Sequence, residues 1–229
     1  PLNTDHSANL ARFYKSWAAR VASEMSAEGI TAAQQTTLKA QYDKLLQQSE
    51  ENYKIALTLS PNNPIIWNEL AQLYAIDFGD DLKFQQTIST SLQVDVGFEQ
   101  TWMLLGDMRS SKGDLAGAVA AYQESLKIRN NCTVRRVLGT LQAQQTLWAD
   151  AAATLEEAVE KCAQASDLWD MYRVLAITYA NLGRLPEALQ TANLALAAAP
   201  TEQQPAVQQL IEQLQAQLTP PESTPTTQP

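Results

Sequence analysis

The chain has 229 residues and a formal net charge of −9, with 16 Lys and Arg against 25 Asp and Glu. This excess of acidic residues excludes a nucleic-acid-binding surface, which needs clustered cations. With one histidine and two cysteines, the sequence also excludes a zinc finger or a His-rich metal site. Ala, Leu and Gln, all good helix formers, are the commonest residues, so the sequence predicts an all-helical, all-α protein.

Two helices are predicted in residues 1–63. Five apolar residues recur at helical spacing in the first helix: Leu10, Phe13, Tyr14, Trp17 and Val21. One alternative is that this apolar face packs on the second helix. The other is that the helix, which also carries basic residues, lies on a membrane surface or continues from a membrane span. The two alternatives are compatible. After Gly29, Thr31 and Gln34 form a capping box that begins a long helix running to Leu59.

Residues 64–200 contain an internal repeat. Four stretches align on a leucine that is followed by a small residue: Trp67-Asn-Glu-Leu70-Ala71, Trp102-Met-Leu-Leu105-Gly106, Arg135-Arg-Val-Leu138-Gly139 and Tyr172-Arg-Val-Leu175-Ala176. The aligned leucines are 35, 33 and 37 residues apart. An alanine follows in the second half of the last three units, at Ala118, Ala151 and Ala188.

This pattern resembles the tetratricopeptide repeat (TPR), in which W-x2-L-G-x2-Y and A-x3-F stand on the two helices of a hairpin. The resemblance implies four TPR-like repeats, stacked as a right-handed superhelical solenoid of antiparallel helix hairpins. Small residues are expected at Gly106, Gly139 and Ala176 because two helices approach closely there. The aromatic residue late in the first helix is kept only as Tyr74 and Tyr179.

The first helices of such an array line its concave groove. Eleven residues at the positions that face the groove are predicted to bind a partner: Asn68, Gln72, Met103, Asp107, Ser110, Arg136, Thr140, Gln144, Arg173, Ile177 and Asn181. Arg136 and Arg173 hold equivalent places in adjacent repeats, so their guanidinium groups are expected side by side, where they suit a carboxylate or phosphate. Alternatively, both arginines pair with acids such as Asp170 or Asp107, or face solvent.

The two cysteines are placed for a disulfide. Cys132 is predicted to begin the first helix of the third repeat and Cys162 to end its second. An antiparallel hairpin brings these ends together, within reach of the ~4.4–6.8 Å between Cα atoms that a disulfide needs. A disulfide would favour the extracytoplasmic face of a bacterial membrane over the cytoplasm, whereas two free thiols are the alternative.

The C-terminal region is predicted to cap the array. An apolar stripe follows Pro200 on a glutamine-rich helix and comprises Val207, Leu210, Ile211, Leu214 and Leu218. The helix over residues 201–218 would close the open end with a polar outer face. Residues 219–229, rich in Pro and Thr, are predicted to be disordered.

A second resemblance concerns two other stretches. The opening Pro1-Leu-Asn-Thr-Asp-His-Ser-Ala-Asn-Leu-Ala-Arg-Phe-Tyr14 and Pro61-Asn-Asn-Pro-Ile-Ile-Trp-Asn-Glu-Leu70 are similar to the soluble C-terminal part of bacterial O-antigen ligase or polymerase-like membrane proteins. The catalytic machinery of that family lies in membrane helices and large loops outside these stretches. The resemblance implies an extramembrane tail of a membrane protein in cell-surface polysaccharide assembly, and because the chain opens with Pro1 we expect a longer parent.

No catalytic constellation emerges from the sequence. Asp5-His6-Ser7 are neighbours on one turn and cannot aim at each other as triad residues must. The sequence therefore predicts a non-catalytic module, without a cofactor, that holds a protein or peptide segment in its groove. The rival hypothesis is direct binding of an acidic glycan or phosphate group through Arg136 and Arg173.

Overall fold

The computed structural model describes residues 3–218, and within this range all the regular elements are helices. They are α1 (Thr4–Met25), α2 (Ala32–Leu59), α3 (Pro64–Gln72) with a π-helical continuation (Leu73–Phe78), α4 (Asp81–Val94), α5 (Glu99–Ser111), α6 (Leu115–Ile128), α7 (Cys132–Gln144), α8 (Trp148–Lys161), α9 (Leu168–Asn181), α10 (Leu185–Ala198) and α11 (Gln204–Leu218). The predicted all-helical fold is confirmed. The predicted disordered tail, 219–229, lies outside the described residues.

The chain forms two compact units, one up to Lys112 and the other from Gly113. The first unit contains α1–α5 and the second contains α6–α11. The second predicted repeat therefore contributes α5 to one unit and α6 to the other.

Local side-chain chemistry explains where the helices of the first unit begin. The capping box predicted ahead of α2 is confirmed, because the Gln34 amide donates to Thr31 Oγ1 and the Thr31 amide donates to Gln34 Oε1. At α3, the side chain of Asn63 accepts hydrogen bonds from the amides of Ile65 and Ile66. Pro64 occupies the first turn, where its missing N–H costs nothing.

The second helix of each hairpin buries a stripe of three residues that are spaced four and then three apart. These stripes are Ser49, Tyr53 and Ala56 in α2; Phe84, Ile88 and Ser91 in α4; Ala118, Tyr122 and Ser125 in α6; Ala151, Leu155 and Ala158 in α8; and Ala188, Ala192 and Ala195 in α10. The same register in α2 shows that α1 and α2 form a hairpin related to the repeats that follow. Each stripe lies on one face of its helix and is buried by neighbouring helices.

The buried face of α1 differs from the one expected. The face that is buried consists mainly of small residues, which are Ser7, Ala8, Ala11, Ala18 and Val21. Of the face expected from the sequence, Val21 is buried, whereas Phe13 and Trp17 are 56% and 43% exposed. The reason is the close approach of the two helices, since Ser49 Oγ of α2 donates a 2.9 Å hydrogen bond to the main-chain carbonyl of Ala11. Aromatic rings do not fit into so narrow a gap.

The second unit contains an equally close approach at Gly139 of α7. A Cβ atom at this position would stand 2.5 Å from Cγ of Leu155, which is fully buried in α8. The expectation that a small residue is needed at Gly139 is therefore confirmed. The absence of a side chain lets Leu155 pack directly on the α7 backbone.

Replacing Gly139 with Ala is expected to lower the free energy of unfolding by about 1–3 kcal/mol, because the added methyl group pushes α7 and α8 apart. Urea denaturation followed by far-ultraviolet circular dichroism measures the change. Gly97→Ala is the matched control, since its Cβ would meet only the Asp95 carboxylate, at 3.3 Å. Equal unfolding midpoints for the two variants would contradict the close packing at Gly139.

Candidate functional site

Four charged side chains form an ion-paired row along the first helices of the third and fourth predicted repeats, three on α7 and α9 and one, Asp167, just before α9. Arg136 of α7 donates from Nε to Asp167 Oδ2 at 2.7 Å and from Nη1 to Asp170 Oδ2 at 3.1 Å. Arg173 of α9 donates to the other Asp170 oxygen from Nε at 2.9 Å and from Nη2 at 2.6 Å. The row therefore runs Asp167, Arg136, Asp170, Arg173, with negative and positive charges in alternation.

This row decides how the two arginines can act. Arg136 and Arg173 meet on the two oxygens of a single carboxylate, that of Asp170. Because two cations face two anions, the row carries no net charge. An acidic glycan or a phosphate group held by both guanidinium groups would have to displace the Asp170 carboxylate that bridges them, so this geometry does not support anion binding through Arg136 and Arg173 together.

A cleft of about 370 Å³ lies between α9 and α11 in the second unit. Eight residues line it: Trp169, Arg173 and Ile177 from α9, and Gln203, Ala206, Gln209, Leu210 and Gln213 from α11 and the residue before it. Arg173 is the charged member of this lining, and it is also the positive end of the ion-paired row. The remaining lining residues offer apolar contact and side-chain amides.

The cleft includes two of the eleven predicted groove residues, Arg173 and Ile177. Arg136 and Thr140 lie one turn apart on α7, where the Thr140 hydroxyl donates to the Arg136 carbonyl. Six more of the predicted residues lie on first helices, and their part in a groove stays a prediction. They are Gln72 on α3, Met103, Asp107 and Ser110 on α5, Gln144 on α7 and Asn181 on α9.

The prediction for Asn68 was wrong. This residue is only 7% exposed, and its Oδ1 accepts hydrogen bonds from Ser91 Oγ at 2.9 Å and from Thr101 Oγ1 at 3.0 Å. Asn68 thereby joins α3 to α4 and α5. A buried amide oxygen needs such donors, so this side chain is part of the interior of the first unit instead of a groove.

One wall of the cleft was missed by the sequence analysis. The sequence predicts a cap from one apolar stripe, Val207, Leu210, Ile211, Leu214 and Leu218. In the structure Val207, Ile211 and Leu214 are buried in the core, whereas Leu210 lines the cleft. A second stripe runs beside it and consists of Gln203, Ala206, Leu210 and Gln213. Its spacing of three and four residues is the signal that could have identified a helix face turned to a groove.

A disulfide joins the start of α7 to the end of α8. The sulfur atoms of Cys132 and Cys162 are bonded, with the Cα atoms 5.7 Å apart. Cys162 is 3% exposed and packs with Ala158 and Met171. Arg136 lies four residues after Cys132 on the same face of α7 and binds Asp167, so the connection from α8 to α9 is tied to α7 twice.

The two tyrosines that match the aromatic position of the repeat pattern make equivalent hydrogen bonds. Tyr74 donates to Glu50 Oε1 and Tyr179 donates to Glu156 Oε1, both at 2.7 Å. Burial, followed by this hydrogen bond, raises the pKa of Tyr179 to about 12. The hydroxyl is therefore a protonated donor near neutral pH, and the guanidinium of Arg184 lies over its ring. These contacts serve packing between helices.

The outer face of α1 carries an aromatic patch formed by Phe13, Ser16, Trp17 and Arg20. The Phe13 and Trp17 rings meet edge to face, with centroids 5.8 Å apart. From residue 3 to residue 218, the structure contains no helix both long and apolar enough to cross a bilayer. The same residues include no group of three or more His, Cys, Asp or Glu arranged for a metal ion.

Models of the tetratricopeptide repeat match two parts of the chain, residues 99–132 and residues 136–202. These matches agree with TPR-like repeats in this part of the chain. A comparison with curated proteins found no match.

Solved structures with similar folds include yeast Tom70, MamA and YrrB. Tom70 superposes with a TM-score of 0.60 and 16% identity over 76% of this chain and 37% of its own. MamA gives a TM-score of 0.56 with 16% identity, covering 74% of this chain and 95% of its own. YrrB, described as a TPR protein with an unusual peptide-binding site, gives 0.57 with 15% identity, covering 76% and 84%. At these identities the likeness concerns the fold, which agrees with a TPR solenoid.

Replacing both cysteines, as Cys132→Ser with Cys162→Ser, is expected to lower the free energy of unfolding by roughly 3–4 kcal/mol, because the disulfide closes a loop of 30 residues. Urea denaturation followed by far-ultraviolet circular dichroism measures the loss of stability. Wild-type protein under a thiol reductant is the matched control and should unfold at the same midpoint as the double variant. A double variant as stable as the oxidised wild type would contradict this role for the disulfide.

Proposed function

We propose that this chain, with tetratricopeptide repeats over residues 99–132 and 136–202, is a non-catalytic module that holds an extended segment of a partner protein. The binding site is the cleft between α9 and α11. The observation that carries this proposal is the composition of the cleft, where Trp169, Ile177 and Leu210 supply apolar contact and three glutamines supply amides.

These residue types suit a peptide. A glutamine amide both donates and accepts hydrogen bonds, so it can pair with the N–H and C=O groups of an extended main chain. Apolar side chains of the segment would be removed from water against Trp169, Ile177 and Leu210. A cleft of about 370 Å³ falls within the size range of ligand sites and takes a few side chains at a time. The description of YrrB as a protein with a peptide-binding site supports the same ligand class.

The titratable groups around the cleft favour binding over catalysis. The charges of Arg136 and Arg173 are matched by Asp167 and Asp170, and the cleft-lining residues other than Arg173 are uncharged. A general acid or base needs a pKa near the working pH and a proton free to move. The residues of this site serve as positioned, ion-paired walls.

For the biological setting, we propose the extracytoplasmic side of a bacterial membrane, where the chain would be the tail of a protein that assembles cell-surface polysaccharide. Two observations support this setting. The disulfide between Cys132 and Cys162 suits an oxidising compartment. The aromatic patch of α1 presents Phe13 and Trp17 to the surroundings, as helices at a membrane surface do.

The setting is tested by labelling thiols in intact cells that express the full-length parent at its native level. We expect a membrane-impermeant maleimide added to the intact cells to label Cys132, the less buried cysteine, only after the cells are treated with a thiol reductant. Two thiols that are free without reductant, and labelled only after lysis, would overturn the extracytoplasmic setting.

The groove is tested with a phage-displayed library of ten-residue peptides selected on the full chain. Peptides enriched by the wild type are expected to bind Ile177→Glu and Leu210→Glu at least tenfold more weakly, because a buried carboxylate would face their apolar side chains. Leu194→Glu is the matched control, since Leu194 is exposed on α10 outside the cleft. Circular dichroism checks the folding of each variant.

Two results of this selection would contradict the proposal. One is the failure of any peptide to bind the folded wild type. The other is enrichment of peptides that bind Ile177→Glu, Leu210→Glu and Leu194→Glu with equal affinity.

A further inference from the structure

The ion-paired row has two different ends, and only one of them reaches the cleft. Arg136 lies inside the row with a carboxylate on each side, Asp167 and Asp170. Arg173 ends the row and shares one carboxylate, that of Asp170, with Arg136. The side chain of Arg173 is 35% exposed, whereas that of Asp170 is 16% exposed. A ligand in the cleft therefore meets the positive end of the row.

We infer that the segment held between α9 and α11 carries one acidic side chain, which Arg173 binds, with apolar side chains before and after it. This inference rests on the proposed function and specifies the partner's chemistry. A carboxylate from the ligand would bind next to Arg173 and add one more negative charge at the end of the row. Arg173 uses Nε and Nη2 on Asp170, and the contacts of the described residues give Nη1 no acceptor.

The position of Arg173 along α9 explains why the acid lies within the segment. Trp169 precedes Arg173 by four residues and Ile177 follows it by four, so an apolar residue stands one helical turn away on each side. The facing wall runs from Gln203 to Gln213, eleven residues that span about 15 Å at the rise of a helix. That length spans about four or five residues of an extended peptide, and on the other wall Trp169 and Ile177 lie one turn to either side of Arg173. A side-chain carboxylate fits this arrangement better than a free chain end.

The remaining lining restricts the number of charges. The residues that face Arg173 across the cleft are uncharged: Gln203, Ala206, Gln209, Leu210 and Gln213. A second acidic side chain would therefore lack a cation and would lie near Asp170, in a chain whose net charge is already −9. A basic side chain would be repelled by Arg173. Arg173 therefore offers one donor group, Nη1, for one acidic side chain, and the rest of the lining suits uncharged neighbours.

The test uses the phage-selected peptides, whose fusion to the coat protein leaves no free C-terminus. The enriched sequences are expected to share one Asp or Glu flanked by apolar residues. A synthetic peptide of this sequence, amidated at its C-terminus, should lose about tenfold in affinity when its acid is changed to the amide. The protein variant Arg173→Gln should lose a similar factor, and Arg173→Lys should lose less because it keeps the charge.

A double-mutant cycle identifies the contact. If the acid binds Arg173, changing it to the amide should have no further effect on affinity for Arg173→Gln. Arg184→Gln is the matched control, because Arg184 is ion-paired with Glu156 and Glu187 outside the cleft lining. This control should leave affinity for the acidic peptide unchanged.

Three outcomes overturn the inference. If the affinity losses caused by changing the peptide's acid and by changing Arg173 simply add in the double change, the acid and Arg173 are not in contact. Enriched peptides without an acid, which still lose affinity for Ile177→Glu, would refute the acidic partner while leaving the proposed function standing. A peptide that needs a free C-terminal carboxylate in place of its acidic side chain would refute the internal acid. Failure of all peptides to bind the wild type would instead refute the proposed function itself.

Discussion

Close approach between paired helices is the constraint on which the rest of this structure depends. At Gly139 the α7 backbone meets the side chain of Leu155, and at Ala11 the α1 carbonyl accepts a hydrogen bond from Ser49 of α2. Such contacts require small residues on one face of each helix. Because each second helix buries its stripe against neighbouring helices, a single hairpin does not bury its apolar face alone. Stacking leaves the other faces of the first helices available for a ligand.

The site follows from this stacking together with two local ties. The connection between α8 and α9 is held to α7 by the disulfide at Cys132 and by the ion pair between Arg136 and Asp167. Asp170, one turn into α9, then sets the orientation of Arg173. The C-terminal helix supplies the second wall of the cleft. Proteins with similar folds indicate the architecture, whereas the ligand depends on these particular side chains.

The fold could be predicted in large part from the sequence, because spacing alone reports helices and repeats. The leucines at 105, 138 and 175, the small residues after them and the capping box at Thr31 all depend on local periodicity. The buried face of α1 could not be predicted in this way. An aromatic stripe and an alanine stripe on one helix are both candidates for burial, and only the distance between α1 and α2 selects the alanines.

The site was less accessible to prediction. Arg173 and Ile177 were predicted because the repeat register places them on a first helix, and both line the cleft. Asn68 has the same register, yet it is buried, since donors from two other helices converge on its amide oxygen. The Gln203–Gln213 wall was missed because α11 lies beyond the last repeat, where register gives no guide. Such features depend on contacts between residues distant in sequence.

The most direct test of the central claim, that the cleft between α9 and α11 binds a peptide segment, is chemical-shift mapping by nuclear magnetic resonance. The isotope-labelled chain would be titrated with the tightest selected peptide. We expect shifts in the indole of Trp169, the methyl groups of Ile177 and Leu210, and the side-chain amides of Gln209 and Gln213. Shifts confined to the aromatic patch of α1 or to the outer faces of α8 and α10, with the cleft unchanged, would contradict the claim.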